Sequence, residues 1–412
     1  MLHRKGKSPN IMKQISLKRL PRNVWVVTAT SFLTDISSEM VLNLVPLFLS
    51  NVLGAKTSII GLIEGIAETT ASLLKIYSGW LSDKLGKRKW LTVFGYGLST
   101  IAKPFLYFAN TWDWVLGVRF ADRVGKGIRT APRDALIADS IDKKQRGLAF
   151  GLHRAGDTAG AFLGLFIAAI IIWLTQSASA RLTRAAFQTI VLVSIIPAAL
   201  AVIILALGAR EIAVAGQGSD VPRFRWNGLE QRFKWFLLAV ILFTLGNSSD
   251  AFIILRGQER GLNVLQVMAM LMTFNLIYAL LSGPLGALSD QIGRRKLILG
   301  GWAAYGLVYL GFALSQTGWQ VWTLFGLYGI YYAAVEGNAK ALIADLVPET
   351  QRGTAYGLYN AAVGLMALPA SVIAGILWQG LFQWSGFGAS APFFFGAFLA
   401  VLASILFWQK VK

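Results

Sequence analysis

The chain has 412 residues, 55% of them hydrophobic and only 14% charged, with 42 glycines, no cysteine and a formal net charge of +19. Soluble proteins carry about 25% charged residues, so this composition excludes an ordinary soluble enzyme and a disordered chain. The missing cysteine excludes a disulfide scaffold and a thiolate metal site.

The first 22 residues are basic, with Arg4, Lys5, Lys7, Lys13, Lys18, Arg19 and Arg22. The apolar stretch after them is too long for a signal-peptide core and has no small-residue cleavage site, so it reads as a membrane span. Runs of roughly 20 apolar residues cross ~30 Å of hydrocarbon. Twelve occur, at about 24–50, 57–80, 90–109, 113–138, 147–175, 185–208, 234–256, 263–288, 295–315, 319–345, 353–378 and 388–408.

Span one carries Asp35 and Glu39 one turn apart, and span two carries Glu64 and Glu68 with Lys75 on the same stripe. Span four is the most charged. At about 100° per residue, Arg119, Arg123, Lys126, Thr130 and Arg133 share an arc of roughly 80° over a rise of about 21 Å, with Asp122 and Arg129 on its flank. An ionisable side chain at mid-bilayer costs at least ~2.5–3.5 kcal/mol, so this stripe must face water, a ligand or carboxylates. Span five adds His153, Arg154 and Asp157. With Asp134, the charges named in these spans are seven acids against seven bases, which predicts an ion-pair network.

A polar connection, roughly 209–233, contains Gly216-Gln-Gly-Ser-Asp220. The spans after it are poorer in charge: Asp250, Arg256, Glu336 and Lys340 are the main ones, and Arg256 is expected near the outer surface. Phe252, Asn275, Tyr278, Tyr331, Tyr332 and Asn338 are expected to give that half shape and stacking, and Met268, Met270 and Met272 read as ordinary apolar packing.

Basic clusters follow spans two, four, six, eight and twelve, at Lys84–Lys89, Lys143–Arg146, Arg223–Lys234, Arg294–Lys296 and Lys410/Lys412. The loops near 110, 317 and 383 have no lysine or arginine. By the positive-inside rule this predicts a multi-pass protein with both termini cytoplasmic, in the plasma membrane (the bacterial inner membrane). It also removes the nucleic-acid reading that a charge of +19 would otherwise invite.

The chain repeats itself. Ala135-Leu-Ile-Ala-Asp139 with Gln145-Arg146-Gly147 recurs as Ala341-Leu-Ile-Ala-Asp345 with Gln351-Arg352-Gly353. Gly79-x-x-Ser82-Asp83-x-x-Gly86-x-Arg88-Lys89 recurs as Gly286-x-x-Ser289-Asp290-x-x-Gly293-x-Arg295-Lys296, and Ser37-Ser38-Glu39 has an echo in Ser248-Ser249-Asp250. The organisation predicted is an N-terminal tail and six-helix bundle (1–208), a cytoplasmic connecting segment (209–233) and a C-terminal six-helix bundle (234–412). Gly86 and Gly293 permit a tight reversal after spans two and eight.

Two six-span halves, with Gly79-Trp-Leu-Ser-Asp83-Lys-Leu-Gly86-Lys-Arg88-Lys89 after span two and its copy after span eight, resemble the major facilitator superfamily. Arg123-x-x-x-Gly127-x-x-x-Ala131-Pro132 resembles that family's second motif. Gly156-Asp-Thr-Ala-Gly160-Ala161-Phe-Leu-Gly164-Leu165 resembles the glycine-rich motif of its drug–proton antiporters, departing from it at Ala161 and Leu165. The resemblance implies an all-α integral membrane fold, twelve transmembrane helices in two pseudo-symmetric bundles around a central cavity, and transport by alternating access. It implies a conformational latch at Asp83 and Arg88, repeated at Asp290 and Arg295, and links Arg123 to proton coupling. Asp35 and Glu39 sit where tetracycline–proton antiporters place a membrane-embedded acid.

Three classes of function follow. The first is a proton-coupled exporter of a small amphiphilic or anionic metabolite or drug, with Asp35, Glu39, Glu64, Glu68 and Arg123 in proton coupling. Its substrate contacts are expected among Arg119, Arg123, Lys126, Arg133, Arg154 and Asp157, and across at Asp250, Tyr331 and Glu336. The second is a proton-coupled importer of an organic anion held by the span-four arginines. The third, a membrane enzyme or structural protein, is disfavoured by the lack of a Ser/His/Asp constellation, a metal cluster and a phosphate-binding glycine loop, and by the short extramembrane segments. The expected partners are a small-molecule substrate, protons and the lipid bilayer; the chain is expected to be a monomer and to need no cofactor.

Overall fold

The computed structural model describes residues 20–142, 145–176, 179–212, 229–348 and 351–411. The basic tail through Arg19, Lys143, Lys144 and the glycine-rich part of the connecting segment lie outside the described residues.

Span one is two helices, α1 (Arg22–Leu42) and α2 (Val45–Asn51). Span two is α3 (Thr57–Leu85), and span three is α4 (Lys89–Ala102) continued by a 3₁₀ turn, Lys103–Phe108. Spans four to six are α5 (Trp112–Asp139), α6 (Arg146–Gln176) and α7 (Arg184–Gly208). Span seven is again split, into α8 (Gln231–Gly246) and α9 (Ala251–Glu259). The remainder are α10 (Val264–Ile292), α11 (Arg294–Leu314), α12 (Gly318–Leu346), α13 (Arg352–Gln379) and α14 (Ala391–Lys410). They form the two six-helix bundles of an all-α integral membrane protein. Consecutive spans alternate in direction, so the start of α1 and the end of α14 share one face, here called the terminal face.

Among the described residues, eight segments qualify as spans by themselves on length and hydropathy. Those that do not are α3, α4, α5 and α12. Three of the four carry charges inward, and α4 ends early because Pro104 tightens the last turn into 3₁₀ geometry. Helix α3 runs five residues past the expected end at residue 80, to Leu85, and stops at Gly86 with φ 60°. Its counterpart Gly293 has φ 92°. Both reversals sit in the left-handed region that glycine enters without a Cβ clash.

The breaks in spans one and seven fall at Asn43–Leu44, just before Pro46, and at the polar run Asn247-Ser-Ser-Asp250. Large apolar side chains left exposed, such as Leu192, Ile196, Leu200, Ile203 and Leu207 on α7, form a stripe for lipid to cover. Inside the N-terminal half, α6 lies against α1 through spaced glycines. A Cβ at Gly156 would come 2.8 Å from Thr28, and one at Gly164 would come 2.5 Å from the Ile36 carbonyl oxygen. The glycine-rich segment of span five is therefore a close-packing surface for span one.

The halves meet along α3 and α13. Thr57 N–H donates to Gln379 Oε1 at 2.8 Å, and Thr69 Oγ1 donates to the Gly364 carbonyl at 2.6 Å. A Cβ at Gly65 would lie 2.8 Å from Leu368 Cα, and one at Gly375 would lie 2.5 Å from the Thr57 carbonyl oxygen. With α2 also touching α9, the face away from the termini is shut.

Candidate functional site

Among the described residues, an inner and an outer cavity lie between the halves. The inner one, of about 410 Å³, is walled by α1, α3 and α5 on one side and by the α8–α9 break on the other. Asp35, Glu39, Glu64, Glu68, Asp122 and Asp250 line it, facing Arg119, Arg123, Lys126 and Arg129. Tyr332 lines both this cavity and the outer one. The outer cavity, of about 1180 Å³, reaches the terminal face at Asp290 and Arg294.

The helical arc on α5 explains the inner site. Arg119 Nη2 pairs with Glu64 Oε2 at 2.6 Å, and Arg119 is only 2% exposed. Among the described residues, Arg119 Nε and Nη1 and Glu64 Oε1 are buried without a hydrogen-bond partner. One turn on, Arg123 Nη2 lies 3.3 Å from Glu68 Oε1 and its Nε lies 3.9 Å from Asp122 Oδ2. Arg129, on the flank, donates to Ser99 Oγ at 2.8 Å and stacks 4.4 Å from the Tyr96 ring. Glu39 accepts from Asn43 Nδ2 at 2.6 Å, at the break after α1. Among the described residues, Asp35, Glu39 and Asp250 form no ion pair within 4.0 Å.

One cation escaped the sequence reading. Lys103, at the 3₁₀ end of span three, is buried, and its Nζ donates to Ser37 Oγ at 2.9 Å and Ser38 Oγ at 2.8 Å. A lone lysine before a proline in an apolar run gives no periodic signal, whereas its burial beside span one puts a positive charge directly behind the inner cavity.

The outer cavity holds the rest of the expected set: Arg133, Arg154, Asp157 and Glu336, with His153 and Asp134. Arg133 pairs with Asp134 at 2.8 Å, and His153 Nδ1 lies 3.4 Å from Asp157 Oδ1. Arg154 reaches across the cavity to the other half. Its Nη2 donates to Tyr278 Oη at 2.5 Å, Tyr278 Oη donates to Glu336 Oε2 at 2.6 Å, and Arg154 and Glu336 stand 3.6 Å apart.

Tyr331 is not at either cavity. It is buried in an aromatic cluster of α8, α11 and α12, with ring centroids 5.0 Å from Tyr305 and 5.3 Å from Tyr328. A step of about 100° along the helix gives the cavity-facing position to Tyr332 instead. Phe252 is likewise core, packed against Trp378, and Met268 and Met270 are buried. Arg256 sits where span seven ends, fully buried. It donates to the Phe312, Ala313 and Ser315 carbonyls and pairs with Glu259 at 2.7 Å, so it caps the end of α11.

At the terminal face Asp83 pairs with Arg88 at 2.6 Å, and Arg88 also meets Asp139 at 3.2 Å. In the repeat these contacts pass to Arg294, which lies 3.6 Å from Asp290 and 2.5 Å from Asp345. Arg295, the residue in sequence register with Arg88, donates to the Trp408 carbonyl instead. Helix α11 begins directly after Gly293 while α4 begins three residues after Gly86, so the equivalent arginine shifts by one. All these pairs lie within a half. With the terminal face open, neither aspartate spans the gap.

The sequence model of the Major Facilitator Superfamily matches residues 27–255 and 234–412. An uncharacterized MFS-type transporter of Methanocaldococcus jannaschii is 37% identical over 410 residues, covering 98% of each chain. The multi-drug resistance efflux pump PmrA of Streptococcus pneumoniae is 23% identical over 350 residues, covering 82% of this chain and 84% of that one. Among solved structures, a point mutant of the nucleoside transporter NupG superposes with a TM-score of 0.76 at 14% identity, covering 95% of this chain and 100% of that one. A bacterial homologue of the human lysosomal transporter Spinster, inward-facing and occupied, gives 0.75 at 16% identity over 94% and 96% of the two chains. At such identities these likenesses speak for the fold alone. With the family match spanning the chain and a full-length relative at 37% identity, the protein belongs to the Major Facilitator Superfamily of membrane transporters.

Proposed function

We propose that this transporter is a proton-coupled secondary exporter of a small organic drug or metabolite, working by alternating access. The observation that carries the reading is the inner cavity: among the described residues Asp35, Glu39 and Asp250 face it with no ion pair, beside cations already taken by Glu64 and Glu68. A membrane-embedded carboxylate with no fixed counter-ion is where a proton would bind, and a neighbouring arginine can compete for it as the cavity changes shape. In this reading Asp35, Glu39, Glu64, Glu68 and Arg123 handle protons, the outer cavity admits substrate, and the terminal face is cytoplasmic in the bacterial inner membrane. The distant kinship to an efflux pump supports export.

An importer of organic anions is the second reading, favoured by four cations on the inner wall. The six carboxylates on the same wall weigh against it.

The test is the full chain in liposomes under an imposed pH gradient, with a screen for solutes whose flux moves protons. Asp35→Asn and Glu39→Gln should each abolish pH-driven transport with expression near wild type, because each removes a titratable group while keeping volume. Full rates with unchanged pH dependence in both variants would refute proton coupling through span one.

A further inference from the structure

Arg154 reaches from one half into the other. It projects from α6 across the outer cavity and is half-exposed, and what it meets is a site built by the other half. Tyr278 of α10 presents its ring face 5.5 Å from the Arg154 guanidinium carbon. Glu336 of α12 presents a carboxylate 3.6 Å from the same group. Tyr278 Oη, accepting from Arg154 at 2.5 Å and donating to Glu336 at 2.6 Å, holds ring and carboxylate in one register. The aromatic wall is itself braced: Tyr332 stands edge-on to Tyr278 at 6.1 Å, and Phe274 stacks on it at 6.3 Å.

A ring face beside a carboxylate is what recognises an organic cation, since the ring quadrupole and the formal charge both favour it and neither needs a specific donor. We propose that Tyr278 and Glu336 form the binding cradle for a cationic group of the substrate, and that Arg154 is a tethered cation occupying the cradle while it is vacant. The substrate class is then an organic cation with an apolar body, such as a protonated amine or a quaternary ammonium on an aromatic frame, its body lying along Phe150 and Phe162. Exchange of one cation for another leaves the charge of the cradle unchanged, so neither the carboxylate nor the ring is left bare. It also releases the strut that joins the halves across the cavity, which ties occupancy to the freedom of the halves to move. The inference names the substrate class of the proposed transporter and so rests on that reading, but binding can be measured without transport.

The experiment uses the full chain in lipid nanodiscs with no pH gradient. Ethidium, a planar aromatic monocation, is titrated by fluorescence anisotropy, and anilinonaphthalene sulfonate, an aromatic monoanion, is titrated separately. Wild type should bind ethidium in preference to the sulfonate. Glu336→Gln and Tyr278→Leu should each weaken ethidium binding tenfold or more. Arg154→Gln should tighten it severalfold by removing the internal competitor. The opposite sign in Arg154→Gln, or preference for the sulfonate, would overturn the proposal, as would Glu336→Gln and Tyr278→Leu both binding as wild type. Ethidium binding at the cradle without pH-driven flux of any solute would refute proton coupling alone. Proton-coupled flux of another solute with no ethidium binding would refute the cradle alone.

Discussion

At the scale of single residues, the inner cavity is governed by which buried charges have partners. Arg119 and Glu64 are both buried and 2.6 Å apart, so each is the other's main compensation. Removing one strands the other, typically at about 3–5 kcal/mol. Arg119→Leu should therefore lower stability by an amount of that order, and Arg119→Leu with Glu64→Leu should recover most of it. Reversible unfolding in mixed micelles reads both, and equal losses in the single and the double variant would contradict the pairing. Arg123 poses a question of geometry. Its fork straddles Glu68 at 3.3 Å and Asp122 at 3.9 Å, and a lysine ammonium cannot reach both from one stem. Arg123→Lys should impair transport more than its retained charge suggests, and lysine performing as well as arginine would mean that a point charge suffices. The acids and bases of this site were legible as residues because helical spacing gathers them on one arc. Their partners were not, since pairing depends on how α1, α3 and α5 pack. Lys103 was missed because a lone lysine in an apolar run gives no periodic signal.

At the scale of elements, the seam between α3 and α13 holds the non-terminal face shut. The helices approach through Gly61, Gly65, Gly364 and Gly375, where an added methyl would meet backbone or side-chain atoms of the opposite half. Gly65→Ala should wedge the seam and favour the state open to the non-terminal face. Lys56→Cys at the mouth of α3 should then label faster, and Ala155→Cys in the outer cavity more slowly, in a chain with no native cysteine to interfere. Unchanged labelling at both positions would show that the seam yields without cost. Gly86 has a different reason to be glycine. At φ 60° it closes α3 in the left-handed region, where another residue costs about 1–2 kcal/mol. Sequence spacing identified both reversals, because a glycine between an apolar run and a basic cluster is a local signal. The breaks at Asn43–Leu44 and Asn247–Asp250 do have local marks, Pro46 and the polar run Asn247-Ser-Ser-Asp250, but the apolar runs on both sides are each read as one span because together they have the length to cross the bilayer.

At the scale of the whole molecule, the structure is open at the terminal face, and Asp83 is held by Arg88 within its own half. If Asp83 latches the halves only when that face closes, Asp83→Asn should slow turnover severely and shift reporter-cysteine labelling toward the form seen here. It should change substrate affinity less than Arg123→Ala does, because a group remote from the ligand alters affinity only through the balance of states. Labelling as in wild type with collapsed affinity would place Asp83 in the binding site instead. The sequence by itself determined the all-α membrane class, the twelve spans, the two-fold repeat and the family. Each rests on apolar length, charge placement or internal identity, which survive without knowing what touches what. Only the tertiary structure decided that Tyr332 rather than Tyr331 faces the cavities, that Arg294 rather than Arg295 takes the paired position, and that Arg154 bridges to Tyr278 and Glu336. A rotation of about 100° or a helix beginning two residues sooner reassigns a side chain completely, and the packing of helices distant in sequence is what fixes that rotation.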